Sequence, residues 1–417
     1  MVNVRDVLLL QKREVEEKKK ELYIKRYAVL KEKDKDIIKA VIGPRRAGKS
    51  SFVIHELSGS GSWGYINFDD ENLVDLEDYN ELIENMKSVY GNPKILFLDE
   101  IQNLKKWELF VNRLQRQGFN IIVSGSNANL LSQELATHLT GRHLTTNVFP
   151  LSFKEFLSFF GKREDMTEAE IKERFRQYAE EGGYPEPLVK NMNRKDYLST
   201  LFDAVIYKDI VKRYRIRAPA AFEDLAVYAI SNATNSYSYN TLAEVTKVRS
   251  ASTVEKYLKY LEESFLLFRT NRFSFKLKRQ MKSEKKIYCI DNGLITARGF
   301  RVSDSTGSLY ENIAAVHLWK KFGENLFYYK SRQGGYEVDF VVRRNQSVEQ
   351  LIQASFNLDK PETKLREFRA LAAASKELDC DNLIALTGDR ESEEWFEWFG
   401  VKRRIKCVPL WKWLLEG

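Results

Sequence analysis

One run of residues restricts the fold more than any other: Gly43-Pro44-Arg45-Arg46-Ala47-Gly48-Lys49-Ser50, with Ser51 behind it. It satisfies the spacing G-x-x-x-x-G-K-[ST], and its flanks are of the required kind. An apolar segment over 37–42 enters it, and a helical pattern over about 49–57 leaves it. The glycines let successive backbone N–H groups curl around phosphate oxygens, and the start of the next helix adds a partial positive charge. Lys49 is spaced to reach the β- and γ-phosphates of a nucleotide, and the Ser50 hydroxyl to bind Mg2+. A turn of this kind sits where a buried strand feeds a helix, so this part of the chain is expected to be α/β with a parallel sheet.

Three more short apolar runs fit strands covered on both faces: 64–68, 94–99 and 120–125. The run Ile95-Leu96-Phe97-Leu98 ends in Asp99-Glu100. Asp99 is the candidate Mg2+ holder, and Glu100 the base that polarises a water in line with the γ-phosphate. An acidic helix cap is the plainer reading of that pair. The strand over 120–124 ends in Ser124-Gly125-Ser126-Asn127. Ser126 or Asn127 there orients the lytic water as a sensor, or caps the next helix, a role that suits either residue. Arg142 closes the following helical stretch as an arginine finger or as a plain C-terminal helix cation. The acidic run Asp69-Asp70-Glu71 reads as a turn with no catalytic role.

A length of 417 residues suits about two to four domains. Composition narrows the rest: 43% hydrophobic residues support several cores and exclude wholesale disorder. Cys289, Cys380 and Cys407 lie far apart, without a CxxC pair, which argues against a disulfide framework or zinc site and for a reducing cytoplasm. The first residues hold only a four-residue apolar run, too short for a signal peptide, and nothing approaches 18 uninterrupted apolar residues, so no membrane span is expected.

The first thirty-five residues, rich in Lys and Glu, read as an exposed helix with a solvated charged face. Residues 151–217 read as helices interrupted at Gly182-Gly183-Tyr184-Pro185. Three helical segments follow, near 221–233, 239–246 and 251–263, and then two β-like runs, 266–275 and 286–291. That is the order of a winged helix. The net charge of +8 gathers here and in the N-terminal stretch, which carry +5 over 218–290 and +4 over 1–35. Between Arg269 and Lys286, eight cations face Glu284 alone, interleaved with Phe273 and Phe275. Lys256, Arg272, Lys276, Lys278, Arg279 and Lys282 are the candidate contacts to the phosphate backbone of duplex DNA. Packing against a protein, with lysines at a hairpin tip for solubility, is the competing reading.

With these residues in place, the chain resembles the prokaryotic AAA+-like P-loop ATPases in which an ATPase core joins a winged helix and a C-terminal domain like PD-(D/E)xK nucleases. The segments that carry the resemblance are 43–51, 65–73, 97–108 and 124–144, then 149–157 (FPLSFKEFL), 181–187 (EGGYPEP) and 207–217. It implies an ATPase core over 36–150, a helical lid over 151–217, a winged helix over 218–290 and a restriction-endonuclease-like α/β domain over 291–417. It also implies ATP and Mg2+ as ligands and Glu100 as catalytic glutamate, and it puts Arg142 where the family has a Gly-Arg. A nuclease of that type uses Glu311 and Asp339, then a carboxylate and a lysine on the next strand. Here Gln353 and Ser355 stand in those places, so phosphodiester cleavage is not expected and the site reads as vestigial. The expected function is Mg2+-dependent ATP hydrolysis with DNA association through the winged helix. The alternative is a nucleotide-controlled scaffold that binds proteins, and a finger acting in trans would require a homo-oligomer.

Overall fold

The computed structural model describes residues 3–33, 35–74, 76, 78–127, 143–300, 306–331 and 335–416. The chain divides into two compact units, one of Met1–Leu151, Tyr184–Met192 and Glu263–Phe265, the other of Ser152–Gly183, Asn193–Glu262 and Leu266–Gly417.

The first unit is built on five parallel strands: β1 (Ile38–Ile42), β2 (Trp63–Asn67), β3 (Ile95–Asp99), β4 (Asn120–Gly125) and β5 (His143–Asn147). Their order is β2-β3-β4-β1-β5. Burial follows the apolar runs: every residue of β1 is buried, as are Leu96, Phe97, Leu98, Ile121, Ile122 and Val123. Helix α2 (Lys49–Leu57) leaves the glycine-rich turn and buries Phe52, Val53, Ile54 and Leu57. Because the strands are parallel, the ends of β1, β3 and β4 share one edge, the edge at which open α/β sheets bind ligands.

The N-terminal stretch departs from the exposed helix expected of it. Helix α1 (Val4–Lys20) stops well short of residue 35, and Val4, Val7, Leu8, Gln11 and Val15 form a buried stripe at helical spacing. Gln11 hydrogen-bonds both backbone groups of Asn67, at 2.9 and 3.1 Å, and so caps the open edge of β2. Its Lys and Glu residues stay outside, as a solvated face. The chain then runs without helix through Tyr23, Ile24 and Arg26.

The second unit contains the helices Phe153–Ser158, Glu168–Glu181 and Arg194–Ala204, a π-helical turn Val205–Val211, and then Pro219–Ser231, Tyr239–Val245 and Ala251–Glu263. Its strands are β6 (Ser236–Tyr237), β7 (Leu267–Arg272), β8 (Lys285–Cys289), β9 (Leu326–Lys330), β10 (Glu337–Arg344), β11 (Ser347–Ala354), β12 (Leu383–Thr387), β13 (Ser392–Trp398) and β14 (Val401–Pro409). They form one sheet in the order β13-β14-β12-β11-β10-β9-β7-β8-β6. The β7–β8 hairpin therefore continues into the C-terminal strands through the parallel pairing of β7 with β9. The link between β7 and β8 carries a short helix, Leu277–Lys282. Helix Pro361–Leu378 covers one face of the sheet, burying Phe368, Leu371, Ala374 and Leu378 against Val341 and Leu351. Among the described residues, no helix is long and apolar enough to cross a membrane.

Candidate functional site

The turn after β1 is shaped by two glycines. A Cβ on Gly43 would stand 1.9 Å from the carbonyl oxygen of Val148, just past β5, so only hydrogen fits there. Gly48 caps α2 at φ +92, a left-handed conformation that side chains disfavour. From beneath, the buried guanidinium of Arg26 donates to the carbonyls of Ala47, at 2.8 Å, and of Phe149. The non-helical segment of the N-terminal stretch thus props the turn from below.

A cavity of about 430 Å³ opens over this turn. Arg45, Gly48, Lys49, Ser50, Ser51, Asn67, Asp69, Asp99 and Glu100 form its polar side, and Leu22, Ile24, Leu151, Pro185 and Val189 an apolar one. Tyr23, on the same wall, stacks on His55 with ring centroids 3.8 Å apart. Lys49 is buried; its ammonium donates to the Pro44 carbonyl at 3.1 Å and lies 3.5 Å from Glu100. The sequence-predicted Lys49, Ser50, Asp99 and Glu100 therefore meet in one place.

The electrostatics separate the two carboxylates. Burial and the neighbouring Glu100 push Asp99 above its ordinary range, against hydrogen bonds from Ser124, Ser50 and Tyr65. Burial would also raise Glu100, but Lys49 above all, with the Gln102 hydrogen bond, Arg45 and Ser126, outweighs it and holds Glu100 below its ordinary value. Glu100 sits at φ +49, a strained conformation for a side chain with a Cβ, at the tip of β3. Ser124 ties the tips together: its hydroxyl donates to Asp99 and accepts from the Glu100 N–H at 3.1 Å. The Tyr65 hydroxyl donates to Asp99 at 2.9 Å.

Several of these contacts were missed in the sequence. Ser124 stands out only as a polar strand end, Tyr65 is an aromatic in the middle of β2, and Arg26 lies in a charged stretch, so none of the three carries a motif signal of its own. Asp69, set aside as a turn residue, lines the cavity and pairs with Arg45 at 3.5 Å. Arg46 turns the other way, to Glu186 at 3.3 Å. Asn127 is buried beside the site's strand, whereas Arg142 falls in 128–142, outside the described residues.

In the second unit, Glu311, Asp339 and Gln353 do converge. Asp339 accepts the Ala354 N–H at 3.1 Å, and the Gln353 side chain accepts the Asp339 N–H and donates to Glu367 at 2.8 Å. A cation reaches these carboxylates from another strand: the Lys286 ammonium, on β8, lies 3.2, 2.8 and 3.0 Å from Glu311, Glu337 and Asp339. The basic stretch is thereby thinned. Lys286 is buried, Arg272 donates to the Lys330 carbonyl, and Arg269 is paired with Glu262. Lys276, Lys278, Arg279 and Lys282 remain exposed, and no ion pair engages them among the described residues. Lys256 is exposed on helix Ala251–Glu263, its ammonium 5.8 Å from the Tyr260 ring.

A parallel sheet in this order, a glycine turn after β1 and paired carboxylates after β3 define a P-loop fold of the AAA type, joined to a β-rich C-terminal part. Residues 35–157 match the family described as AAA domain, and 172–304 and 306–411 match two domains of unknown function. The chain is 36% identical over 400 residues to an uncharacterised protein, MJ1544, of Methanocaldococcus jannaschii, covering 91% of this chain and 88% of that one. It is 31% identical over 345 residues to an uncharacterised protein of Haemophilus influenzae, covering 78% and 84%. The chain belongs to this family of AAA-type P-loop proteins. Among solved structures, the Walker-type ATPase PABY2304 of Pyrococcus abyssi is similar at a TM-score of 0.43 and 16% identity, over 71% of this chain and 95% of that one.

Proposed function

We propose that the protein is a Mg2+-dependent ATPase whose second unit binds duplex DNA through the basic segment 276–282. The observation that carries the first half is the meeting of Lys49, Ser50, Asp99 and Glu100 in one cavity beside a glycine turn and a helix start. The donor set fits Mg2+: the Ser50 hydroxyl and the Asp99 carboxylate are hard oxygens within hydrogen-bonding reach of each other. They are the residues that would hold the ion, and it would supply positive charge against the charge that develops on the phosphates.

The remaining chemistry belongs to the chain. The turn's backbone N–H groups and Lys49 hold the phosphates, and Lys49 exchanges its contacts with Pro44 and Glu100 for phosphate oxygens. Glu100, kept ionised by its surroundings, accepts the proton of the attacking water as the water's oxygen bonds to the γ-phosphorus and ADP leaves. Ser126 or Asn127 orients that water, and Arg142 is the candidate finger, in trans if the protein assembles with itself. Binding of ATP measured by calorimetry, with and without Mg2+, tests this reading. We expect Lys49→Ala to abolish it; undiminished binding by that variant refutes the site.

The DNA half rests on four exposed cations within seven residues, which no ion pair engages among the described residues. The order of helices and strands from Pro219 to Cys289 supports a winged helix there. Phe275, Leu277 and Met281, all exposed beside the cations, favour a protein partner as the second reading. A gel shift with duplex DNA at low salt separates the two. The carboxylates around Lys286 are read as the remnant of a nuclease-like site, tied together by that lysine.

A further inference from the structure

We infer that Arg45 is a second cation for the terminal phosphate of the nucleotide, supplied in cis by the phosphate loop itself, and that Asp69 is the counterion that holds it before nucleotide enters. The inference rests on the ATPase reading above and assigns within that site two residues to which no role in turnover has been given.

Two neighbouring arginines in the loop take opposite directions. Arg46, at φ +63, is exposed and reaches Glu186. The Arg45 side chain is only 21% exposed and points into the cavity that Lys49, Asp69, Asp99 and Glu100 also line. Asp69 reaches this edge because β2 ends level with β3, Asn67 opposite Asp99, and the chain turns directly after it. The loop thus brings two cations to one pocket, and each is matched to an acid from a strand tip: Lys49 to Glu100, Arg45 to Asp69.

Distance decides what this pairing is for. Charge-assisted hydrogen bonds between guanidinium and carboxylate run at about 2.7–2.9 Å. Arg45 and Asp69 stand at 3.5 Å, and Lys49 and Glu100 at the same 3.5 Å. Neither pair closes to the length of a charge-assisted hydrogen bond. A phosphate oxygen, with more charge and a geometry that accepts both prongs of the guanidinium, displaces such a carboxylate readily. On entry of nucleotide Arg45 moves from Asp69 to the phosphate, and Asp69 retains the Asn103 amide, 3.4 Å away. The planar, permanently charged fork then opposes the charge that spreads over the phosphoryl oxygens in the transition state. ADP lacks the group that Arg45 meets, so the device also tells ATP from ADP.

The test measures dissociation constants for ATP and ADP and the turnover rate in the full chain, for wild type, Arg45→Ala, Arg45→Lys and Asp69→Asn. Arg45→Ala is expected to weaken ATP at least about 10-fold more than ADP and to lower kcat about 100-fold. Arg45→Lys should recover ATP affinity but not the rate, because charge returns without the fork. Asp69→Asn should tighten ATP relative to ADP. Equal losses for ATP and ADP, or a rate within about 3-fold of wild type in Arg45→Ala, overturn the assignment of Arg45 while leaving the ATPase intact. A wild-type chain that binds neither nucleotide overturns the ATPase reading itself.

Discussion

Replacing Lys286 with methionine withdraws the cation that touches Glu311, Glu337 and Asp339 at once. The ammonium is buried, and Asp339 beside it is buried too, so solvent cannot take its place. Removing one partner of a buried charge network costs about 3–5 kcal/mol, most of it from charges left uncompensated. At about 2–4 °C per kcal/mol for a unit of this size, the unfolding midpoint falls by roughly 10 °C. Five of the seven tryptophans lie in the second unit, so tryptophan fluorescence during a thermal ramp reports mainly on it. The loss should depend on pH. Burial, then Asp339, already push the Glu311 carboxyl up to about 8 against the pull of Lys286, and without Lys286 it rises further. A carboxyl whose folded pKa is raised holds its proton more tightly when folded, so its contribution is present at low pH and lost as pH rises through that value. The gap between wild type and Lys286→Met is therefore smallest near pH 5 and largest near pH 9. Adding Glu311→Gln and Asp339→Asn to Lys286→Met should recover most of the loss at pH 9. A midpoint within 2 °C of wild type at pH 9, or a gap independent of pH, refutes the reasoning.

Three further outcomes follow from single contacts. Gly43→Ala should abolish nucleotide binding and lower the stability of the first unit, because its Cβ would meet the Val148 carbonyl at 1.9 Å; calorimetric binding and a thermal melt check both. Asp291, raised to about 6 by burial against hydrogen bonds from the Gly183 and Gly293 N–H groups, is a source of pH dependence. Its contribution is full below about pH 4 and lost as pH rises through about 6, on the order of 3 kcal/mol, and Asp291→Asn should flatten the stability profile across that window. Reversing the charge of Lys278, Arg279 and Lys282 should weaken binding to duplex DNA and reduce the slope of log affinity against log salt by about 3, measured by fluorescence anisotropy; an unchanged slope removes DNA from the account of this segment.

The parts of the fold that were legible in the sequence are those buried on both sides. Strands β1 to β4 announce themselves as apolar runs, and Lys49, Ser50, Asp99 and Glu100, singled out by their spacing, line one cavity. Edge strands do not announce themselves: β5 is His-Leu-Thr-Thr-Asn, half exposed at the end of the sheet. Strand β13, Ser-Glu-Glu-Trp-Phe-Glu-Trp, is paired on one side only, and its exposed face sets Glu393 beside Arg404 of β14. Such a strand draws its partners from another segment, which a local pattern does not contain. In α1 the stripe Val4, Val7, Leu8, Val15 was present but diluted by the Lys and Glu residues around it. The cation beside Asp339 is Lys286, which the sheet brings from β8, so the position two residues after Gln353, a serine, gives no sign of it. Arg45 faces Asp69 while Arg46 faces Glu186, and spacing holds no information on which way two adjacent arginines turn.

Hydrolysis of ATP in this cavity with Glu100 as base is tested most directly by steady-state turnover in Mg2+. Wild type should release phosphate, Lys49→Ala should do so at background level through loss of binding, and Glu100→Gln should bind ATP like wild type yet turn over about 100-fold or more slowly. Glu100→Gln turning over at the wild-type rate, or a wild type that binds ATP in Mg2+ and releases no phosphate, would contradict it.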